Sequence, residues 1–153
     1  MNRRNPDHSG TMTNVAGVLR EWLRKQRKPQ GRVYTGDVAF KLRHDSPSLV
    51  GIDVAYISAE LRNKTPKGSK IVNGVPVVAV EILSPSDVHA DVAEKVYEFM
   101  DVGVKAVWIL DPDFETVAVH CQGAEPVSFN RQQELDAETY LPGFRVRVAE
   151  LFE

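Results

Sequence analysis

Val75-Pro-Val-Val-Ala-Val-Glu-Ile-Leu83 is a near-continuous β-branched run with a single carboxylate inside it. A segment that is apolar on consecutive positions, rather than on alternate ones, is a strand covered on both faces. Residues 75–83 therefore read as a central strand of a sheet with helices on each side. The run is far shorter than the roughly 20 apolar residues that cross a bilayer.

Working outward, Ser84-Pro-Ser-Asp87 breaks this strand and opens a helix, with Ser86 or Asp87 as its cap. Val88, Val92, Val96 and Phe99 recur on one helical face, and Gly103 stops the helix. Residues 104–110 form another apolar strand, and residues 116–121 return after the Asp111-Pro-Asp turn. Leu141-Pro-Gly-Phe is a later turn before a short final helical segment. On the other side, residues 52–58 read as a strand, residues 32–35 and 37–42 as two short ones, and residues 60–74 as an exposed polar loop. Val15, Val18, Leu19, Trp22 and Leu23 repeat at helical spacing, with Thr11 or Thr13 as N-cap, and Pro29 ends that helix near Lys28. Residues 1–12 are expected to be a flexible leader, and residues 13–153 one α/β (α+β) domain, a mixed sheet flanked by helices.

The chain's 153 residues suffice for one sizeable core and are too few for two. With 42% hydrophobic and 26% charged residues, it is globular rather than disordered. Cys121 stands alone, which excludes an internal disulfide and a Cys-based zinc site. Met-Asn-Arg-Arg-Asn-Pro has no apolar stretch behind it and is not a secretory signal. The expectation is a reduced, cytoplasmic protein with no membrane partner. Net charge is −2, but residues 1–43 hold ten Lys or Arg against three Asp or Glu, and the remainder nine against eighteen. A basic front and an acidic body suit a protein that meets phosphates on one surface and holds a cation on another. A solvated basic helix accounts for the front equally well.

Glu81 carries the most information about chemistry. An ionised carboxylate among apolar neighbours is costly unless it is paired or bound to a cation. The structural alternative is a glutamate at the strand's exposed end, paired with Arg or Lys. Asp53, in Gly51-Ile-Asp-Val-Ala-Tyr-Ile, repeats the oddity on a second strand. Two carboxylates on adjacent strands form an oxygen-ligand pair of the kind Mg²⁺ takes. Lys95 flanks the buried stripe of its helix and can reach a neighbouring strand end; the competing partner is Asp91, at (i, i+4).

Gly51-Ile-Asp-Val-Ala-Tyr-Ile-Ser, Val78-Ala-Val-Glu-Ile-Leu-Ser-Pro-Ser, Glu94-Lys-Val-Tyr-Glu-Phe-Met-Asp-Val-Gly-Val, Val107-Trp-Ile-Leu-Asp-Pro and Leu141-Pro-Gly-Phe occur in this order. The series resembles the Uma-type restriction endonucleases of the PD-(D/E)XK nuclease superfamily over roughly residues 8–153. The resemblance implies a restriction-endonuclease-like fold, with Asp53 and Glu81 as metal-binding carboxylates. The superfamily's usual lysine would fall at Leu83; the family's helical lysine maps to Lys95. Ile52 stands where a proline usually precedes the aspartate, and residues 60–74 form a longer loop than the family pattern. Many members also carry an N-terminal glutamate that joins the site, and residues 1–12 offer none.

The first functional expectation is thus a metal-dependent nuclease of the restriction-endonuclease type. Asp53, Glu81 and the Ile82 carbonyl hold Mg²⁺ or Mn²⁺, and Lys95 acts on water and phosphate. Arg20, Arg24 and Lys28, with Lys64, Lys67 and Lys70, are the candidate contacts to nucleic acid, DNA being the favoured partner. A homodimer stands as a prior only. The second expectation is a catalytically inactive nuclease fold that binds nucleic acid or protein, and the third a small-phosphoester hydrolase. Ser84 and Asp111 read as turn residues, and Trp22 and Trp108 as core. His8, His44, His89 and His120 show no metal-ligand spacing.

Overall fold

The computed structural model describes residues 5–153. Their elements run α1 (Pro6–Arg24), β1 (Arg32–Lys41), β2 (Val50–Ile57), α2 (Ala59–Lys64), β3 (Val72–Asn73), β4 (Val78–Ile82), α3 (His89–Val102), β5 (Ala106–Asp111), β6 (Thr116–Cys121), β7 (Val127–Phe129), β8 (Glu134–Asp136) and β9 (Arg145–Arg147). A 3₁₀ turn, Val148–Leu151, follows β9. Seven strands form one sheet in the order β3-β1-β2-β4-β5-β6-β7, and β8 pairs with β9 separately. The β-branched run lies at the middle of the large sheet, antiparallel to β2 and parallel to β5.

Side-chain alternation on the central strands divides the core into two layers. Val78, Val80 and Ile82 of β4, with Trp108 and Leu110 of β5, pack beneath Val15, Leu19 and Trp22 of α1 and against Leu141, Phe144 and Leu151. Ala79, Val107 and Ile109 face the opposite way, onto Val96 and Phe99 of α3. The two tryptophans are core residues, as expected, and each indole N–H is satisfied: Trp22 by the Pro142 carbonyl and Trp108 by the Tyr140 hydroxyl, both at 2.8 Å.

Several boundaries differ from expectation. The first helix begins at Pro6, not near Thr13, and Asn5 is its N-cap, accepting the His8 N–H at 2.8 Å. Proline favours the first helical turn because its missing N–H has no partner there anyway. Of the expected flexible leader, residues 1–4 lie outside the described residues, whereas His8 and Thr11 are buried. The two short strands are one, β1, interrupted by a bulge at Gly36 and Asp37, both at positive φ. The 60–74 loop contains most of α2 and all of β3. Val88 is not part of the buried stripe; it sits at the N-cap position of α3 and is 57% exposed. Neither Ser86 nor Asp87 caps that helix; Asp87 instead accepts the Ser84 N–H at 2.6 Å and closes the preceding turn.

Candidate metal and phosphate site

The bulge in β1 and the end of the β2–β4 ladder together create the site. Regular pairing of β2 with β4 stops at Val54 and Val80. Ile52 and Val54, two residues apart, pack into opposite core layers, so alternation breaks at Asp53. The Asp53 side chain fills the resulting gap, its Oδ2 accepting the Ile82 N–H at 2.9 Å. Leu83 donates its N–H to Leu110 of β5, whereas Ile82 turns to the β2 side. A strand residue presents N–H and C=O to the same edge, so the Ile82 carbonyl also faces the Asp53 side.

Glu81, between Val80 and Ile82, points to the α3 layer. Lys95 Nζ lies 3.0 Å from Glu81 Oε1 and donates to the Gly51 carbonyl at 2.9 Å. Lys95 therefore spans from the strand of Glu81 to the strand of Asp53, and its ion-pair partner is Glu81 rather than Asp91. The Glu81 side chain is only 14% exposed, and among the described residues its Oε1 accepts no well-directed hydrogen bond. The Glu81 carboxyl is pushed up to about 8, mainly by burial, with the Lys95 charge opposing the rise and the Asp53 charge adding to it. Two neighbouring carboxyls in a half-dry pocket resist joint ionisation. A cation relieves that conflict.

His8 is the residue that sequence reasoning passed over. It is fully buried on the first turn of α1, and its Nε2 lies 3.5 Å from Asp53 Oδ2. Among the described residues, neither ring nitrogen has a hydrogen-bond partner. The available signal was local: His8 lies four residues before Met12 and seven before Val15, on the apolar face of the helix.

The other candidates take no part in the Asp53–Glu81–Lys95 cluster among the contacts of the described residues. Arg20, Arg24 and Lys28 are exposed, and Arg20 is ~18 Å along the helix axis beyond His8 at 1.5 Å per residue. Lys64 is paired with Glu60 at 2.9 Å. Asp111 accepts the Asp113 N–H at 2.9 Å, and Ser84 belongs to the turn closed by Asp87, so both do turn chemistry. Among the described residues, no three His, Cys, Asp or Glu side chains are arranged as a metal-holding group. What is present is a carboxylate pair with a facing backbone carbonyl. That hard, all-oxygen set fits a cation that keeps several waters, as Mg²⁺ does.

A mixed sheet flanked by helices, with acidic groups where its central strands part, is a nuclease-like fold. The structure superposes with a TM-score of 0.81 on the "crystal structure of a putative nuclease belonging to DUF820" from Anabaena variabilis. That match has 18% identity and covers 99% of this chain and 83% of the other. The family model Uma2, described as "Putative restriction endonuclease", matches residues 1–149. The chain belongs to the Uma2 family. No curated protein matches it. No helix among the described residues is long and apolar enough to cross a membrane.

Proposed function

We propose that this protein is a metal-dependent nuclease that hydrolyses a phosphodiester bond, with DNA as its substrate and the cytoplasm as its place of action. The observation that carries the reading is the Asp53–Glu81–Lys95 constellation: two carboxyls from parting central strands, the pKa of one raised by burial, and an ammonium 3.0 Å from it. Asp53, Glu81 and the Ile82 carbonyl are the groups that would hold Mg²⁺ or Mn²⁺. When bound, such an ion polarises the phosphate and lowers the pKa of a coordinated water.

The chain's own residues divide the remaining work. Asp53 is held by the Ile82 N–H, so its carboxylate needs little reorganisation to serve as a ligand. Glu81, whose ionisation burial disfavours, would serve as a ligand in its carboxylate form, with the proton released to solvent. Lys95, anchored on the Gly51 carbonyl, lies beside the carboxyls; it can orient the attacking water and offset charge that builds on the phosphate. Arg20 and Arg24 of α1 and Lys28 just beyond it, all exposed, are the proposed contacts to the DNA backbone away from the cleavage centre.

The direct test is nicking of supercoiled plasmid DNA by purified protein with Mn²⁺, Mg²⁺ or EDTA. Nicking that needs the metal and is lost in Glu81→Ala supports the reading. Nicking that persists in Glu81→Ala, or that never appears above a mock purification, rejects it.

A further inference from the structure

Beside the carboxylate pocket lies a larger cavity of about 480 Å³, which the proposed chemistry does not use. The two are adjacent and share a wall: Leu83, Asp87, Val92, Val96 and Ile109 line both. The larger cavity lies between α3 and the β5–β6 part of the sheet. Its walls are mostly aliphatic, Ala118 of β6 forming part of the floor. Polar groups line it at Ser84, Asp87 and His89 near the start of α3, at Tyr97 of α3 and at His120 of β6. Burial pushes the His120 imidazole down from its ordinary value, which favours the neutral ring with one donor and one acceptor. Tyr97, by contrast, is 74% exposed, a large aromatic in water two residues past Lys95.

The charges of the two compartments differ in a way that selects the occupant. No Lys or Arg lines the larger cavity, which leaves a phosphate uncompensated there. Lys95, the one cation of the pair of pockets, lines the carboxylate side. A molecule that places its anionic group beside Lys95 and a flat, uncharged, largely apolar group next door matches this division. A nucleotide has that shape, and a cavity of this size is in the range that encloses small ligands.

We propose that this cavity receives a nucleobase next to the scissile phosphate, with Tyr97 stacking on it and His120 meeting its edge. The proposal rests on the nuclease reading of the carboxylate site and adds a substrate class: a nucleic acid unpaired at the nucleotide being cleaved. A base inside a duplex is stacked and paired on all sides and has to be extruded before it can enter such a pocket, at a cost of a few kcal/mol. An unpaired strand avoids that cost.

The test uses the full chain and three fluorescein-labelled DNA oligonucleotides of one sequence: single-stranded, fully paired, and paired except for one bulged base. In Mn²⁺ the single strand and the bulge are cut about tenfold or more faster than the paired strand, and Tyr97→Ala removes about tenfold of that advantage. Ala118→Trp, which fills the floor, does the same while leaving Mn²⁺ binding by calorimetry unchanged; should it not fold, surface Tyr97→Ala decides alone. Equal rates on paired and unpaired strands, or a preference untouched by Tyr97→Ala, overturn the proposal. If none is cut, the nuclease reading fails separately, and anisotropy of the same strands in Ca²⁺ still decides. Tighter binding of the unpaired strand that Tyr97→Ala abolishes supports the pocket, and indiscriminate or absent binding overturns it. Sedimentation guards against a second copy as occupant: a dimer that Tyr97→Ala converts to monomer overturns it too.

Discussion

His8 Nε2 stands 3.5 Å from Oδ2 of the buried Asp53, so the first turn of α1 abuts the carboxylate proposed as a cation ligand. The family resemblance brings a glutamate from the N-terminal segment into the site in many members, and here an imidazole stands beside the aspartate. His8→Ala is expected to weaken Mn²⁺ binding about tenfold by titration calorimetry, the usual scale for losing a group that orients a ligand. His8→Gln, which keeps a side-chain donor, recovers part of the loss. Unchanged Mn²⁺ affinity in folded His8→Ala would make His8 a packing residue alone.

Glu81 makes stability depend on pH in metal-free protein. Its folded pKa, about 8, lies above the ordinary 4.5, so the unfolded chain releases this proton first. The group's contribution is fully present below about 4.5 and is lost as pH rises toward about 8. In EDTA, melting temperature is expected to fall across that window more steeply for wild type than for Glu81→Gln. Glu81→Gln should be at least as stable at pH 8 and inactive as a nuclease. Destabilisation of Glu81→Gln by ~2 kcal/mol or more at pH 8 instead marks Glu81 as a structural partner of Lys95.

Millimolar Mn²⁺ or Mg²⁺ is expected to raise the melting temperature of wild type, because a ligand that binds only the folded state stabilises it. The rise should vanish in Asp53→Ala. Differential scanning calorimetry with and without EDTA reads both, and a wild-type melt indifferent to metal counts against the cation site.

Lys95→Ala is expected to lower the single-turnover cleavage rate by roughly 10²–10³-fold, the scale of removing one charge-stabilising donor. Mn²⁺ affinity should change much less, since the ammonium is no ligand. A parallel fall in both, or no fall in rate, assigns Lys95 to structure.

The α/β class, the central β4 strand and its two-sided burial were legible because consecutive β-branched residues have only one comfortable environment. Asp53 and Glu81 stood out for the same reason, as charges among apolar neighbours. Helical phase put Lys95 at the edge of the α3 stripe, but the choice between Glu81 and Asp91 depended on how helix and sheet pack. The early start of α1 was hidden because Asn5, Pro6, Asp7 and Gly10 read as turn residues, although the first two favour a helix's beginning. The bulge at Gly36–Asp37 read as a gap between strands, since a pairing register leaves no trace in one sequence. Without that register, nothing brought His8 to Asp53.

A lysine on the glutamate's own strand would keep its place by local geometry, whatever the rest of the molecule did. Lys95 reaches the strands from α3, which Val96 and Phe99 pack against the sheet. Small openings of that helix, too brief to register as melting, would withdraw the ammonium while Asp53 and Glu81 stay on their strands. On warming, therefore, turnover should fade before the fold does, with hydrogen exchange in residues 89–102 quickening in step.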